Sequence, residues 1–213
     1  MSADKRRDLR EEYAEQTRQR ILKAFADCLA EEQAEEVAIA AVAERAGVSE
    51  RTVYRHFPTR VDLLAAAGEW INDNVFSYVH PASLNELPAV FREVCHRFDR
   101  QPNLAYAIAL SRLGRSVRVG FRRHILEVNS QAIADATRHL PPAEARRAEA
   151  VLGYLDNVLA WATMREEQDM SGDEVADAVE WAMTTLLADL HRRNAAATPK
   201  TSCAGRAHDT AEE

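Results

Sequence analysis

Apolar residues recur along this chain at the three- and four-residue spacing of helices, and no stretch shows the strict alternation of a half-buried strand. The most informative passage is IAAVAERAGVSERTVYRHFPTRVDLL, residues 39–64. Ile39, Val42, Ala43 and Ala46 form a stripe that predicts a short helix with one buried face. Gly47 stands where a helix end needs a residue tolerant of left-handed backbone. Val48 then turns inward, and the Ser49 hydroxyl can accept from the free amides of a second helix. Two short helices about such a turn make a helix-turn-helix. Laid out at about 100° per residue, the second helix, residues 49–56, places Val53 and Phe57 on the core side. Arg51 and Arg55 point away from it, with Thr52 and His56 on one flank and Tyr54 and Glu50 on the other. An ordinary core has no use for this polar set on so short a helix, whereas a DNA groove does. Arginines at the crest can each donate two bonds to a guanine edge. Hydroxyls and an imidazole on the flanks can hold phosphates and set the register. Thr59 and Asp62 have the spacing of a capping box for the next helix. Arg60 lies in its first turn, where a cation opposes the helix dipole unless a phosphate is near.

The same periodicity predicts helices over residues 59–78, closed by Pro81, over 83–98 from a Ser83–Glu86 capping box, and over 102–113 from Pro102. A longer helix is expected over 117–139, broken by Pro141-Pro142, and two long helices over 143–167 and 173–193. Residues 1–15 form a charged arm in which Lys5, Arg6 and Arg7 precede acids, either disordered or an extension of the first helix, and residues 195–213 lack apolar periodicity, as a disordered tail does.

Composition narrows the reading. The chain has 213 residues, 46% of them hydrophobic, with seven glycines and seven prolines, as an all-helical globular protein would. Its net charge of −7 argues against a general nucleic-acid binder, but residues 49–60 carry three arginines against one glutamate. Any DNA contact is therefore local and geometric. Cys28, Cys95 and Cys203 are scattered, with no C-x-x-C spacing, as expected of cytosolic thiols. Cys95 and His96 are neighbours on a helix and point about 100° apart, which argues against a shared metal. The N-terminus is too charged for a signal peptide, and no apolar run approaches a membrane span, so a cytoplasmic protein is expected. No nucleophile motif, paired-carboxylate helix motif or glycine-rich phosphate loop appears; neither enzymatic activity nor a cofactor or metal is expected.

The string AVAERAGVSERTVYRHFPTRVDLL resembles the DNA-binding domain of the tetracycline-repressor (TetR) family of bacterial transcription regulators, and TRQRILKAFADCLAEE, residues 17–32, resembles its first helix. The order Thr-x-Tyr-x-His-Phe at Thr52, Tyr54, His56 and Phe57 is the most specific part. The resemblance implies phosphate contact from Thr17 or Arg18, and DNA contact, mostly to backbone, from Thr52, Tyr54 and His56. It implies that Arg60 replaces the family's usual lysine. The full expected DNA set is Thr17, Arg18, Ser49, Glu50, Arg51, Thr52, Tyr54, Arg55, His56 and Arg60. Three positions depart from the pattern. Gln33 and Ala34 occupy a loop that usually has glycine. Ala38 replaces a capping threonine or serine, and Ala40 and Ala41 cannot reach a base edge.

The resemblance also implies the architecture. It is all-α, with a helix-turn-helix domain at 16–60 and an effector-binding and dimerisation bundle at 61–194. Val151, Leu152, Leu155, Val158, Leu159 and Ala162 stripe one late helix, near Trp161. Val175, Val179, Ala182, Met183, Leu186, Leu187 and Leu190 stripe the last. These stripes are wide enough for both a monomer core and a partner; a core alone would also explain them. The resemblance implies a homodimer through residues 143–193, placing two reading heads about 34 Å apart on a palindromic double-stranded DNA operator. Phe91, Phe98, Tyr106, Phe121, Tyr154 and Trp161, with the polar Asn129, Asn157 and Thr163, fit either a pocket for a small hydrophobic effector or an ordinary core. The expected function is a ligand-released repressor, and the alternative is an architectural DNA-binding protein with no effector.

Overall fold

Ile21, Leu22, Phe25 and Leu29 recur on one face of α1 (Ala3–Glu32), and this face is the floor on which the N-terminal helices pack. The computed structural model describes residues 3–32 and 36–197, and every regular element among them is a helix. α2 (Ile39–Ala46) contributes Val42, Ala43 and Ala46, and α3 (Glu50–His56) contributes Val53, with Phe57 just beyond its end. α4 (Arg60–Asn74) adds Leu63 and Ala67. Burying each large side chain of this set stabilises the domain by about 1.5–3 kcal/mol before entropy is counted.

The turn between α2 and α3 is closed as the sequence predicts. Gly47 adopts φ 65° and ψ 40°. The Gly47 and Val48 amides donate to the Glu44 and Ala43 carbonyls, each at 3.0 Å. These two bonds satisfy carbonyls that the helix end leaves open. Ser49 caps α3 by accepting from the Thr52 amide at 3.2 Å, and Thr59 and Asp62 form the reciprocal capping box of α4. Ala38, at the start of α2, makes no side-chain cap.

Beyond α4, a 3-10 turn (Leu84–Glu86) leads into α5 (Leu87–Arg100), followed by α6 (Pro102–Leu110) and α7 (Arg112–Ala136). α8 (Pro142–Leu155), α9 (Val158–Glu167) and α10 (Gly172–Ala197) complete the bundle. α10 lies along α5, α7 crosses α4 and α6, and α1 also packs on α6. No helix among the described residues is long and apolar enough to cross a membrane.

Several boundaries differ from the sequence expectation. Of the two states open to the charged arm it takes the helical one, α1 running back to Ala3, though the side chains of Lys5, Arg6 and Arg7 lie outside those described. α4 ends at Asn74, well before Pro81, because Ser77 turns left-handed at φ 43° and the Arg97 guanidinium takes the Phe76 and Ser77 carbonyls. α7 starts five residues earlier than residue 117, because the Ser111 hydroxyl accepts from the Gly114 amide and nucleates it there. The expected helix over 143–167 is two helices. Its chain breaks at Asp156 and Asn157, where Asn157 Oδ1 accepts from the Leu159 amide at 3.0 Å and caps α9. Residues 195–197 continue α10, while the rest of the expected tail, Cys203, Gln33 and Ala34 lie outside the described residues.

Two substitutions test this account of the reading head. An added Cβ at Gly47 would meet no atom, so strain alone sets the cost. Gly47→Ala is expected to destabilise by about 1–2 kcal/mol. Ala38→Ser should gain about 0.5–2 kcal/mol by supplying the absent cap. Urea denaturation measures both; equal stability of Gly47→Ala and the parent would refute the strain argument.

Candidate nucleic-acid interface and interior cavity

The outer face of α3 carries the polar set that the sequence arranged there. Glu50, Arg51, Tyr54 and Arg55 are exposed, Tyr54 to 49%, while Thr52 and His56 are half-buried on the flank. Ser49 and Thr52 hydroxyls lie 3.0 Å apart, and Thr52 is thereby tied to the cap of its own helix. Two polar atoms beneath the end of α3 have no hydrogen-bond partner although both are buried: Nη1 of Arg18 and Nε2 of His56. The Arg18 guanidinium sits 5.0 Å from the centre of the Phe57 ring. Burial, then Arg55 and Arg18, push the His56 imidazole below its ordinary value. Thr17 turns its hydroxyl back to the Tyr13 carbonyl at 2.8 Å. Arg60 stands at the start of α4, 3.6 Å from Glu36. Ala40 is exposed and Ala41 half-buried, and a methyl group offers a base edge no hydrogen bond.

A second feature lies in the bundle. α4 and its exit, α5, α6, α7 and the α8–α9 joint surround a narrow void of about 40 Å³. Phe91, Val94 and Phe98 of α5, Ile108 of α6, Phe121 and Ile125 of α7, Phe76 and Val158 form its apolar lining. Phe76 and Phe98 meet edge to face at 4.9 Å. The polar wall holds Asn72, Tyr78, Arg118, Arg122, Asp156 and Asn157.

That wall is tied together by one buried carboxylate. Tyr78 donates its hydroxyl to Asp156 Oδ2 at 3.1 Å, and Asn129 Nδ2 donates to the same oxygen at 3.1 Å. Arg122 Nη1 lies 3.6 Å from it and also donates to the Gly153 carbonyl through Nη2. Burial pushes the Asp156 carboxyl up from the usual carboxylate range, and Arg122, Tyr78 and Asn129 oppose that rise. Burial and the nearby carboxylate likewise push the Tyr78 phenol up. Arg118 donates only to the Ala109 carbonyl at 3.3 Å, with no carboxylate in ion-pair range among the described residues.

The structure gathers part of the expected pocket set. Phe91, Phe98, Phe121 and Asn157 line the void, and Asn129 stands behind its wall. Tyr106 and Trp161 pack on each other at 4.9 Å, with Phe98 5.6 Å from Trp161, as interior packing rather than lining. Trp161 is fully buried and donates Nε1 to Asp99 at 3.1 Å. Tyr154 is 52% exposed and lines an outer groove between α7 and α8, and Thr163 lies away from the void. The late stripes face inward: Leu152, Val158, Ala162, Val175, Val179, Met183, Leu187 and Leu190 are all buried within the single chain. What remains outside on these helices is Trp181, 73% exposed, with Val151 and Tyr154. Sequence reading missed Trp181, which falls off the main stripe, and missed Tyr78, Arg118, Arg122 and Asp156. The available signal was Arg118 and Arg122, four apart in a helix whose Val117, Phe121 and Ile125 face inward.

α4 joins the two features. Its Leu63 and Ala67 belong to the core under the reading head, and its Asn72 to the cavity wall. Between them Gly68 crosses α7 so closely that a Cβ there would lie 2.4 Å from the Val117 carbonyl oxygen.

Tyr78→Phe removes one donor from buried Asp156 and should cost about 1–3 kcal/mol in urea denaturation. The folded carboxyl is raised, so its contribution to stability is fully present below the unfolded value and is lost as pH rises from there through the folded value. Loss of a donor to the ionised form widens that loss. The deficit of Tyr78→Phe should therefore be larger near neutral pH than in acid; a deficit independent of pH would argue that Asp156 does not depend on Tyr78.

The chain is similar to known proteins in sequence and in fold. Residues 21–67 match the sequence profile of the bacterial regulatory proteins of the tetR family. The chain is 28% identical over 194 residues to the HTH-type transcriptional repressor KstR of Rhodococcus jostii (strain RHA1), spanning 87% of this chain and 90% of that protein. It is 38% identical over 64 residues to the nucleoid occlusion factor SlmA of Aliivibrio fischeri (strain MJ11), a match of 30% of this chain and 33% of that protein. Two solved structures share the fold. A transcriptional regulator from Rhodococcus sp. Rha1 matches with a TM-score of 0.56 at 20% identity, over 80% of this chain and 95% of that one. A tetR-family transcriptional regulator from Streptomyces coelicolor matches with a TM-score of 0.56 at 21% identity, over 88% and 91%.

Proposed function

We propose that the chain, whose residues 21–67 match the tetR-family profile, is a transcriptional regulator of that kind, acting as a homodimeric repressor released from a palindromic operator by a small effector in the interior cavity. The observation that carries the DNA half is the outward set on α3. Arg51 and Arg55 read base edges from the major groove, while Thr52, Tyr54 and His56 hold backbone. Arg18 and His56 each leave a nitrogen without a partner beneath the end of α3, where a backbone phosphate would supply an acceptor once these side chains turn outward. Thr17, Ser49, Glu50 and Arg60 flank this contact and set its register. An overall charge of −7 opposes DNA at long range, so affinity depends on these close contacts and falls steeply with salt.

The dimer follows from the same requirement. One seven-residue recognition helix reads too few base pairs for specificity, and two related by a twofold axis read a palindrome. Trp181 on α10 and Val151 on α8, outside the groove between α7 and α8, supply apolar outer surface for it within residues 143–193. In the effector half, a ligand among Phe91, Phe98 and Phe121 presses on α7 and on Asn72 of α4. The crossing at Gly68 passes any movement of α7 to α4, and α4 carries it to the reading head. The effector must bind the non-operator shape more tightly than the operator shape, since equal affinity shifts nothing.

Selection of random duplex DNA followed by gel shift tests the DNA half. Arg55→Ala is expected to cost about 1–3 kcal/mol and to relax preference at one guanine position. Tyr54→Phe should weaken all sequences alike. An Arg55→Ala protein with the parent's sequence preference would remove the base-reading role.

Trp181→Glu is expected to leave a folded monomer by analytical ultracentrifugation, with loss of cooperative operator binding. A variant that remains dimeric at the same concentration would place the partner surface elsewhere.

A further inference from the structure

We infer that the cavity takes an amphipathic anion, an elongated apolar body among Phe91, Phe98 and Phe121 with a terminal carboxylate or phosphate at Arg118. The inference rests on the effector reading above and adds the chemistry of the head group.

The apolar part of the site accepts only an apolar body, since every lining side chain of its floor is aromatic or aliphatic. The wall is not neutral. It presents two guanidinium groups, Arg118 and Arg122, against one carboxylate, Asp156. Asp156 is committed: Arg122, Tyr78 and Asn129 all converge on its Oδ2. Arg118 is half-buried and holds only a backbone carbonyl. Burial, with Arg115 and Arg122 nearby, destabilises its charged form. A half-buried cation without a counter-charge is costly, and an anion within reach would relieve it through paired N–H donors.

Position supports the same conclusion. Arg118, Arg122 and Asn157 line both the interior void and the outer groove between α7 and α8. They stand at the mouth, where one end of an entering molecule would stop. The groove beyond adds Arg123 and Arg146, faced by Glu127 and Glu149. An apolar chain inserted through this mouth leaves its head group at Arg118, and a neutral or cationic head would meet excess positive charge there. The same helix carries the head-group contact at Arg118 and, one residue earlier, the Val117 carbonyl that crosses Gly68 of α4. Charge at the mouth is thus coupled mechanically to the helix that bears the reading head.

Calorimetric titration of the full chain with dodecanoate, dodecyl phosphate and dodecanol, each below its aggregation threshold, tests the inference. Both anions should bind about ten- to a hundredfold tighter than dodecanol, the range of a charge-assisted contact. Arg118→Gln should abolish that gap while leaving dodecanol affinity unchanged, and Arg118→Lys should retain part of it. The tighter of the two anions identifies the head group. Dodecanol binding as tightly as the anions, or a gap that survives Arg118→Gln, would overturn the anion requirement and leave the effector reading standing. Should none of the three probes bind, the interior effector site falls and this inference with it. The comparison of anion with alcohol on the parent protein decides the matter even if the variants fold poorly.

Discussion

One helix belongs to two cores at once. α4 inserts Leu63 and Ala67 beneath the helix-turn-helix and Ile71 and Asn72 into the bundle, with Gly68 between them against the backbone of α7. A closely packed crossing cannot deform smoothly, because a gap of a few tenths of an ångström forfeits dispersion contacts and an overlap of the same size is repelled. Any shift of α7 must therefore be absorbed by α4 moving as a body. The far end of α4 is held as well, since Arg97 of α5 takes the Phe76 and Ser77 carbonyls and Phe76 packs edge to face on Phe98. The near end is kept helical by the Thr59–Asp62 box. A helix held at its exit by α5, crossed at Gly68 by α7 and packed through Leu63 beneath the helix-turn-helix relays displacement as a body, which is the mechanical requirement of the proposed switch.

The reading head was legible in the sequence because its determinants are local. A left-handed glycine, a serine cap, a capping box and a seven-residue polar helix each act within a few residues, so Gly47, Ser49, Thr59 and Asp62 could be placed from spacing alone. The bundle was less legible because its breaks are decided by tertiary partners. Nothing local stops a helix at Leu155, where Asp156 leaves the helix to meet Tyr78, 78 residues earlier in the chain, and Arg122. The end of α4 is likewise set by Arg97 from another helix. Apolar stripes on the last helices were visible, but their width did not say which part faces the core; α5 occupies that face, and Trp181 remains outside.

Charge is distributed in two ways that serve different ends. On α3 the arginines are solvated, cost little when unbound, and act only within a few ångströms because salt screens them beyond about 10 Å. In the cavity wall the charges are desolvated, so each needs a partner within the protein. Asp156 has three such partners and still has its carboxyl raised by burial. The wall is therefore not an efficient way to hold a bundle together, since apolar residues of similar volume would serve stability as well or better. Its presence at the boundary of an otherwise aromatic cavity is more simply explained by recognition than by folding.

The narrowness of the cavity bears on how such recognition would switch the protein. Pockets that hold small molecules commonly span about 300–1,000 Å³ and bury most of the ligand, whereas the free volume of this void is only about 40 Å³. A ligand with a long apolar body does not fit among Phe91, Phe98 and Phe121 unless α5 and α7 separate or their rings change rotamer. Expansion of that kind is itself the differential affinity that population shift demands, because the ligand binds the expanded arrangement and is excluded from the closed one. Opening the space between α5 and α7 moves the two helices that hold α4, one at its C-terminal exit through Arg97 and one at Gly68. Filling the cavity and displacing the reading head are then the same event, with no separate signal required between them.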